Sequence, residues 1–499
     1  MIWHVARREL LEHVRSARFL ALCGLAMFLL PLSAHVNASQ YHVRLAQAAE
    51  LRSAQQRKIA ERITQSGAYE SLYGWRGGEV IADPALRAVR APSRFAVLAL
   101  GADASLPAYW QFSTEGLEAG PTASGESTSV VGAEQMDAVF IVQSVLGLLA
   151  LLLVFDAVSG ERESGVLRLL LSAPVRRADL VLGKALGAML TLAVPLVLGV
   201  AAALAVLEIE GVSLLRDGSF GRVAIFLAAS AVYLMHMVAL GLAVSTMTSR
   251  AKSSWVALLL VWIGLVLVVP RSAEMIAAAT HPVVPGFEAR QAKIAALAQL
   301  QRDRARALAA AWREVSGTDS TPEEPVDRAV RVAYARAAAS DERHLTARKR
   351  AAIRQVETTR QRALVRRRRL AGAIAWLSPA SSYAAVAANV AGTGDDAAQR
   401  WLDQVTAHQA RLEAATFDRQ FGMEIYPPQL GYLRIIWWPD LSDPSDLPPP
   451  YRDLPPFAFR DAPLSLVFAQ SFSHLAVLTL GIVGWLVIAL RAFQRAEVQ

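Results

Sequence analysis

Residues 156–184, DAVSGERESGVLRLLLSAPVRRADLVLGK, interrupt two apolar runs with acids, bases and a proline. Glu161 and Glu163 stand where a short helix would begin, favourable against the positive end of its dipole, and Val166, Leu169 and Leu170 share one face. Pro174 biases Ala173 away from the helical region and ends the element. These residue types make a charged amphipathic helix anchored at both ends. Such a helix either passes motion between a soluble partner and the bilayer or only lies on lipid.

Catalytic chemistry has little to build on elsewhere. The single cysteine, Cys23, lies in the first apolar run, which excludes an intrachain disulfide and a thiolate zinc cluster. Nine histidines are scattered without an H-E-x-x-H pattern, and no nucleophile stands at a recognisable spacing from a base. Met235, His236 and Met237 would suit copper(I) by softness, but three consecutive helical residues point apart and cannot close on one ion. His35 and His42 share a helical face, and two ligands make a weak site. No G-x-x-x-x-G-K-[ST] occurs; LGKAL at 182–186 lacks the glycine spacing and the hydroxyl that would meet magnesium. The expectation is a chain with no catalytic residues, no metal and no bound cofactor. Gln143, Ser144 and His236 are candidates to line a pathway, because polar groups inside spans usually face the protein interior. Glu134 and Asp137 read as headgroup-layer residues, and Gln470, Ser471, Ser473 and His474 leave both readings open.

The elements that would position these residues are membrane spans. The 499 residues are 54% hydrophobic and 19% charged, too apolar for an ordinary soluble protein and too charged to lie wholly in lipid. Six apolar runs can cross about 30 Å of hydrocarbon: 19–35, 136–155, 185–207, 223–245, 255–270 and 466–490. Residues 371–391 are a seventh apolar stretch, but Ser378, Pro379, Ser381 and Ser382 break it, so it reads as a soluble helix and turn. Basic residues near the spans favour the cytoplasm. They fall in 1–18, in the 156–184 loop, in the 246–254 loop and in the 491–499 tail, which places both termini and the charged helix inside. A short loop, 208–222, and two long inserts, 36–135 and 271–465, are then external.

The inserts differ in texture. The first starts as a polar helix that continues the first span and then becomes rich in glycine and proline, as mixed helix and loop or α+β. The second opens with two Ala/Arg-rich helical stretches separated by SGTDSTPEEP, a pattern for an antiparallel hairpin, and later turns proline-rich around Trp437 and Trp438. Its RRRR at 366–369 reads as a solvated helical face. Part of the +8 net charge resides in the cytoplasmic loops, so it does not call for nucleic acid. The fold class expected is mainly α: a polytopic membrane protein with six spans and two extracytoplasmic insert domains.

SGERESGVLRLLLSAPVRRADLVLGKALGAML resembles the signature of ABC-2 type transporter permeases. The resemblance rests on Glu161, Arg162, Glu163, Gly165, Leu169, Leu170, Pro174, Gly183 and Lys184. It implies that this segment is a coupling helix that docks on a separate ABC ATPase, which would hold the ATP and magnesium. ARRELLEHVRSARF at the start is similar to the family's amphipathic elbow, with Trp3, Ala6, Leu10 and Val14 on one face and Arg7, Arg8 and Arg15 available to lipid phosphates. Blocks in the two inserts resemble a subgroup with large external insertions, labelled as permeases linked to multicopper enzyme maturation. The family implies a second permease chain, as a homodimer or heterodimer, and the bacterial inner membrane. External inserts of this size leave room for an extracytoplasmic partner protein.

Overall fold

The computed structural model describes residues 1–65, 86–101, 103, 106–113, 116–121, 136–167, 176–216, 220–317, 328–417 and 456–495. Leu169, Leu170, Pro174, Glu134 and the proline-rich segment with Trp437 and Trp438 lie outside the described residues. The elements are α1 (Ile2–Val14), α2 (Ala17–Gln65), β1 (Arg87–Val89), β2 (Tyr109–Ser113), β3 (Gly116–Ala119), α3 (Ala138–Glu163) and α4 (Arg177–Ile209). After these come α5 (Phe220–Met247), α6 (Ala251–Thr280), α7 (Gly286–Ser316), α8 (Arg328–Ala375), α9 (Pro379–Ala391), α10 (Asp395–Phe417) and α11 (Leu464–Arg495).

Six helices, α2 to α6 and α11, are long and apolar enough to cross a membrane. An apolar chain in lipid must satisfy its backbone internally, and uninterrupted helices do so. The fifth run is longer than its apolar core: it starts at Ala251 and continues through Pro270 to Thr280. Of these six, α3 and α5 are the most enclosed. Phe226, Tyr233, Leu234, Met237 and Leu240 are buried around much of the circumference of α5, as expected of a helix packed on several sides.

Two stretches widen into π-helix, Ile141–Leu146 in α3 and Ile263–Val268 in α6. A π-turn disturbs the regular bonding ladder and leaves a carbonyl in need of a donor. Tyr233 donates its hydroxyl to the Gln143 carbonyl at 2.8 Å, and Ser378 donates to the Leu265 carbonyl.

Ser378 opens α9, which corrects the reading of 371–391 as a soluble helix and turn. Its side chain accepts from the Ser381 amide as an N-cap, Pro379 occupies the first turn, and Gly392 closes the helix at φ +69°. The residues that interrupt the apolar run are therefore start and stop signals. The helix between them is packed into the core of the bundle: Tyr383 stacks on Tyr233 at 5.0 Å and shares a 2.8 Å hydrogen bond with Ser230. Buried Ala380, Ala387 and Ala391 allow close approach to the spans.

The two inserts share one core. The antiparallel sheet β1-β2-β3 brings Leu86, Ala88 and Phe112 from the first against Trp401, Val405 and Leu412 on α10 of the second. Trp110 meets Trp401 edge-on at 6.2 Å. Hydrogen bonds join the same segments: Arg90 to the Gly392 carbonyl at 2.9 Å, Ser93 to Ala391 at 2.7 Å and Thr393 to Ala99 at 2.8 Å. Away from this body, α7 and α8 form the expected antiparallel hairpin, with Lys293 paired to Glu357 at 3.1 Å and Trp312 edge-on to Tyr334 at 5.1 Å.

Candidate functional site: a charged junction at the loop end of the bundle

The segment 156–163 ends α3, and its charged side chains turn toward neighbouring helix ends. Lys184 on α4, only 3% exposed, places its Nζ 2.6 Å from Glu9 Oε1 on α1 and 2.8 Å from Glu161 Oε1. One ammonium therefore ties three elements. Arg18, at the start of α2, grips Asp156 with two parallel bonds of 3.1 and 2.9 Å, the fork geometry that favours arginine over lysine. Arg162 donates to the Thr248 and Thr246 carbonyls at 2.8 and 3.2 Å and so satisfies the C-terminal end of α5. Glu163 accepts from the Ala251 amide at 3.0 Å, at the N-terminus of α6. Arg177, in turn, donates to Phe493 and Gln494 carbonyls at the end of α11.

The backbone follows the same plan. The Val158 and Ser159 amides both donate to the buried Ser245 hydroxyl at 3.1 Å. Gly165 adopts φ +78° just past the helix, a conformation that L side chains rarely take. Beyond it Val166 is 37% exposed while Leu167 is buried with Leu180 and Val181.

Gly183 and Lys184 act as a pair. A Cβ on Gly183 would strike Val5, and one on Gly187 would strike Glu9 and the Ala6 backbone, so α1 rests directly on the α4 backbone. The face of α1 turned to α4 carries Val5, Ala6 and Glu9. Of the expected stripe, Ala6 is buried, Leu10 is half-buried, and Trp3 and Val14 are exposed, Trp3 to 60%. Arg7, Arg8 and Arg15 remain exposed. His13 lies 3.5 Å from the Thr191 hydroxyl, and burial holds its imidazole below the usual histidine value.

The three polar span residues are not brought together as one group. Gln143 and Ser144 are half-buried in the π-stretch of α3. His236 is held between α5 and α11: its Nδ1 donates to the Leu478 carbonyl at 3.1 Å, and its Nε2 accepts from Trp485 Nε1 at 3.2 Å. His35 and His42 both meet Glu210, through its carboxylate at 2.7 Å and its carbonyl at 2.8 Å.

A family model described as ABC-2 family transporter protein matches residues 3–498. The chain belongs to that family. Two relatives are the "Probable ABC transporter permease protein NosY" of Pseudomonas aeruginosa, 42% identical over 115 residues, and that of Stutzerimonas stutzeri, 46% identical over 81. These matches cover 22% and 16% of this chain, and 40% and 29% of the relatives, so it spans well under two thirds of their length. In this ABC-2 permease, Glu161, Arg162 and Glu163 each bond to a different neighbouring element, and Gly183 seats α1. Sequence reasoning missed Glu9, Arg18, Asp156, Gly187 and Ser245. Their signal was weak: one of two acids on a basic helix, and a polar STMTSR cluster where an apolar run stops.

Proposed function

We propose that this chain is the membrane subunit of an ATP-driven machine in the bacterial inner membrane. A separate ABC ATPase docks on the loop after Glu163, with ATP and magnesium held in that partner, and two permease chains surround the working interface. Both termini and the junction face the cytoplasm. The observation that carries the reading is the junction itself. A push on the 164–176 loop reaches α1, α2, α4, α5 and α6 through short bonds, which couples a soluble partner to five helices at once. At the far end the two inserts form one body, so helix motion either exports a cargo or shifts that body. Leu169, Leu170 and Pro174 belong to the docking loop in this reading, and Trp3, Arg7, Arg8 and Arg15 lie along the lipid surface.

The test is affinity purification of the tagged, detergent-solubilised protein with an ATPase assay and mass spectrometry of co-purifying chains. Val166→Asp alters an exposed side chain and is expected to leave the protein folded while releasing an ATP-hydrolysing subunit. Lys184→Met is expected to disturb the fold of the junction as well. Recovery of wild-type protein with no ATP-hydrolysing chain overturns the proposal.

A further inference from the structure

The α7–α8 hairpin, residues 286–375, holds 20 of the chain's 51 basic residues but 10 of its 43 acidic ones. Its net charge is +10, against +8 for the whole chain. The densest part, Arg366, Arg367, Arg368 and Arg369, stands near the foot of the hairpin and not at its tip. Ser378 is anchored to the Leu265 carbonyl of α6. Arg369 lies six residues, about 9 Å of helix, before the end of α8 at Ala375, from which a short turn leads to Ser378; the same rise from Leu265 reaches Arg271. The apolar run of α6 ends at Val269, with Arg271 its first charge, so the tetrad lies at the level where hydrocarbon gives way to headgroups. Trp376, 46% exposed, and Leu377, 71% exposed, follow on the deeper side. Charge above and exposed tryptophan and leucine below is the order of groups that an interface selects. Among the described residues, no acidic side chain pairs with any of the four arginines, whereas distal Arg306 has Asp303.

We propose that the 366–369 tetrad binds the phosphate headgroups of anionic phospholipid in the leaflet facing the inserts, clamping the foot of the hairpin to the bilayer surface. The proposal rests on the chain spanning a membrane and is independent of the ATPase and the cargo. The tip segment 317–327 carries Asp319, Glu323, Glu324 and Asp327 and no Lys or Arg, so the arm offers no continuous basic surface to an acidic protein, and its arginine run lies at the foot.

The experiment uses full-length protein in detergent, mixed with equal amounts of phosphatidylglycerol and phosphatidylcholine, with retained lipids counted by native mass spectrometry at low salt. The variants are Arg366→Gln/Arg368→Gln/Arg369→Gln, the matched distal set Arg302→Gln/Arg306→Gln/Arg313→Gln, and the charge-keeping Arg366→Lys/Arg368→Lys/Arg369→Lys. The foot variant is expected to lose the preference for phosphatidylglycerol by up to roughly 100-fold, about fivefold for each cation near an anionic surface. The distal and lysine sets are expected to keep most of it. An unchanged preference in the foot variant, or an equal loss in the distal set, overturns the proposal; the second result would assign the arm to a diffuse acidic partner. Loss of preference in the lysine set as well would mean that the foot variant reports misfolding, and would also overturn it.

Discussion

Replacing Lys184 by methionine keeps the length and volume of the side chain but removes the one cation between Glu9 and Glu161. The two carboxylate oxygens bonded to its nitrogen at 2.6 and 2.8 Å then lie within about 5.4 Å of each other. At an effective dielectric of about 20 their repulsion is about 3 kcal/mol, and losing one partner of a buried ion pair commonly costs about 3–5 kcal/mol. Most of that is relieved if α1 lifts off α4, because Glu9 then reaches water. Lys184→Met should therefore lower the free energy of opening α1 by about 3 kcal/mol, which is roughly a hundredfold faster amide exchange at about 1.4 kcal/mol per tenfold. Hydrogen–deuterium exchange on the full-length protein in detergent reads this in peptides covering residues 2–14. The triple variant Lys184→Met/Glu9→Gln/Glu161→Gln removes the buried charges and should recover most of the protection. Unchanged exchange in Lys184→Met, or no recovery in the triple variant, would show that the packing of α1 on Gly183 and Gly187 holds the helix and the ion triad does not.

Two further outcomes are expected. His408 is enclosed by Phe112 and Phe457, and burial, with the Arg411 cation second, pushes its imidazole down to about 4. An unfolded chain takes up that proton near pH 6.5, so between about 6.5 and 4 the unfolded state binds more protons and the insert body loses stability as pH falls. The loss is about 1–2 kcal/mol after solvent screening, and His408→Leu should flatten the thermal-unfolding profile across that window. Separately, a side chain at Gly481 would collide with the His236 ring, while Gly484 faces open space. Gly481→Val should lower thermal stability in detergent by about 2 kcal/mol, with Gly484→Val close to wild type.

The spans were legible because lipid imposes length and apolarity on each segment alone. The hairpin was legible for the same local reason, a turn signal between two helical patterns. What escaped notice depends on residues far apart in sequence. Nothing local in Ser93 or Thr393 announces that they join two inserts across about 300 residues of chain. The strands at Arg87–Val89 and Gly116–Ala119 are too short for alternation to show. In α9, Pro379 looked like an interruption because a breaker within an apolar run and a residue in the first turn of a new helix read alike without Ser378 recognised as a cap. At the junction the acidic and basic types were legible, but not their partners within the chain: nothing local in Glu163 announces that it meets the Ala251 amide.

The shared core of the inserts also sets how this protein can be recombined. Leu86, Ala88 and Phe112 are covered by Trp401 and Val405, so each insert supplies part of the apolar surface that the other needs. A chimera that exchanged residues 36–135 with a relative and kept 271–465 would expose unmatched faces on both, even with every span intact. Exchange of the external body between relatives should therefore preserve its fold only when both inserts travel together, and natural variation in the one should track variation in the other.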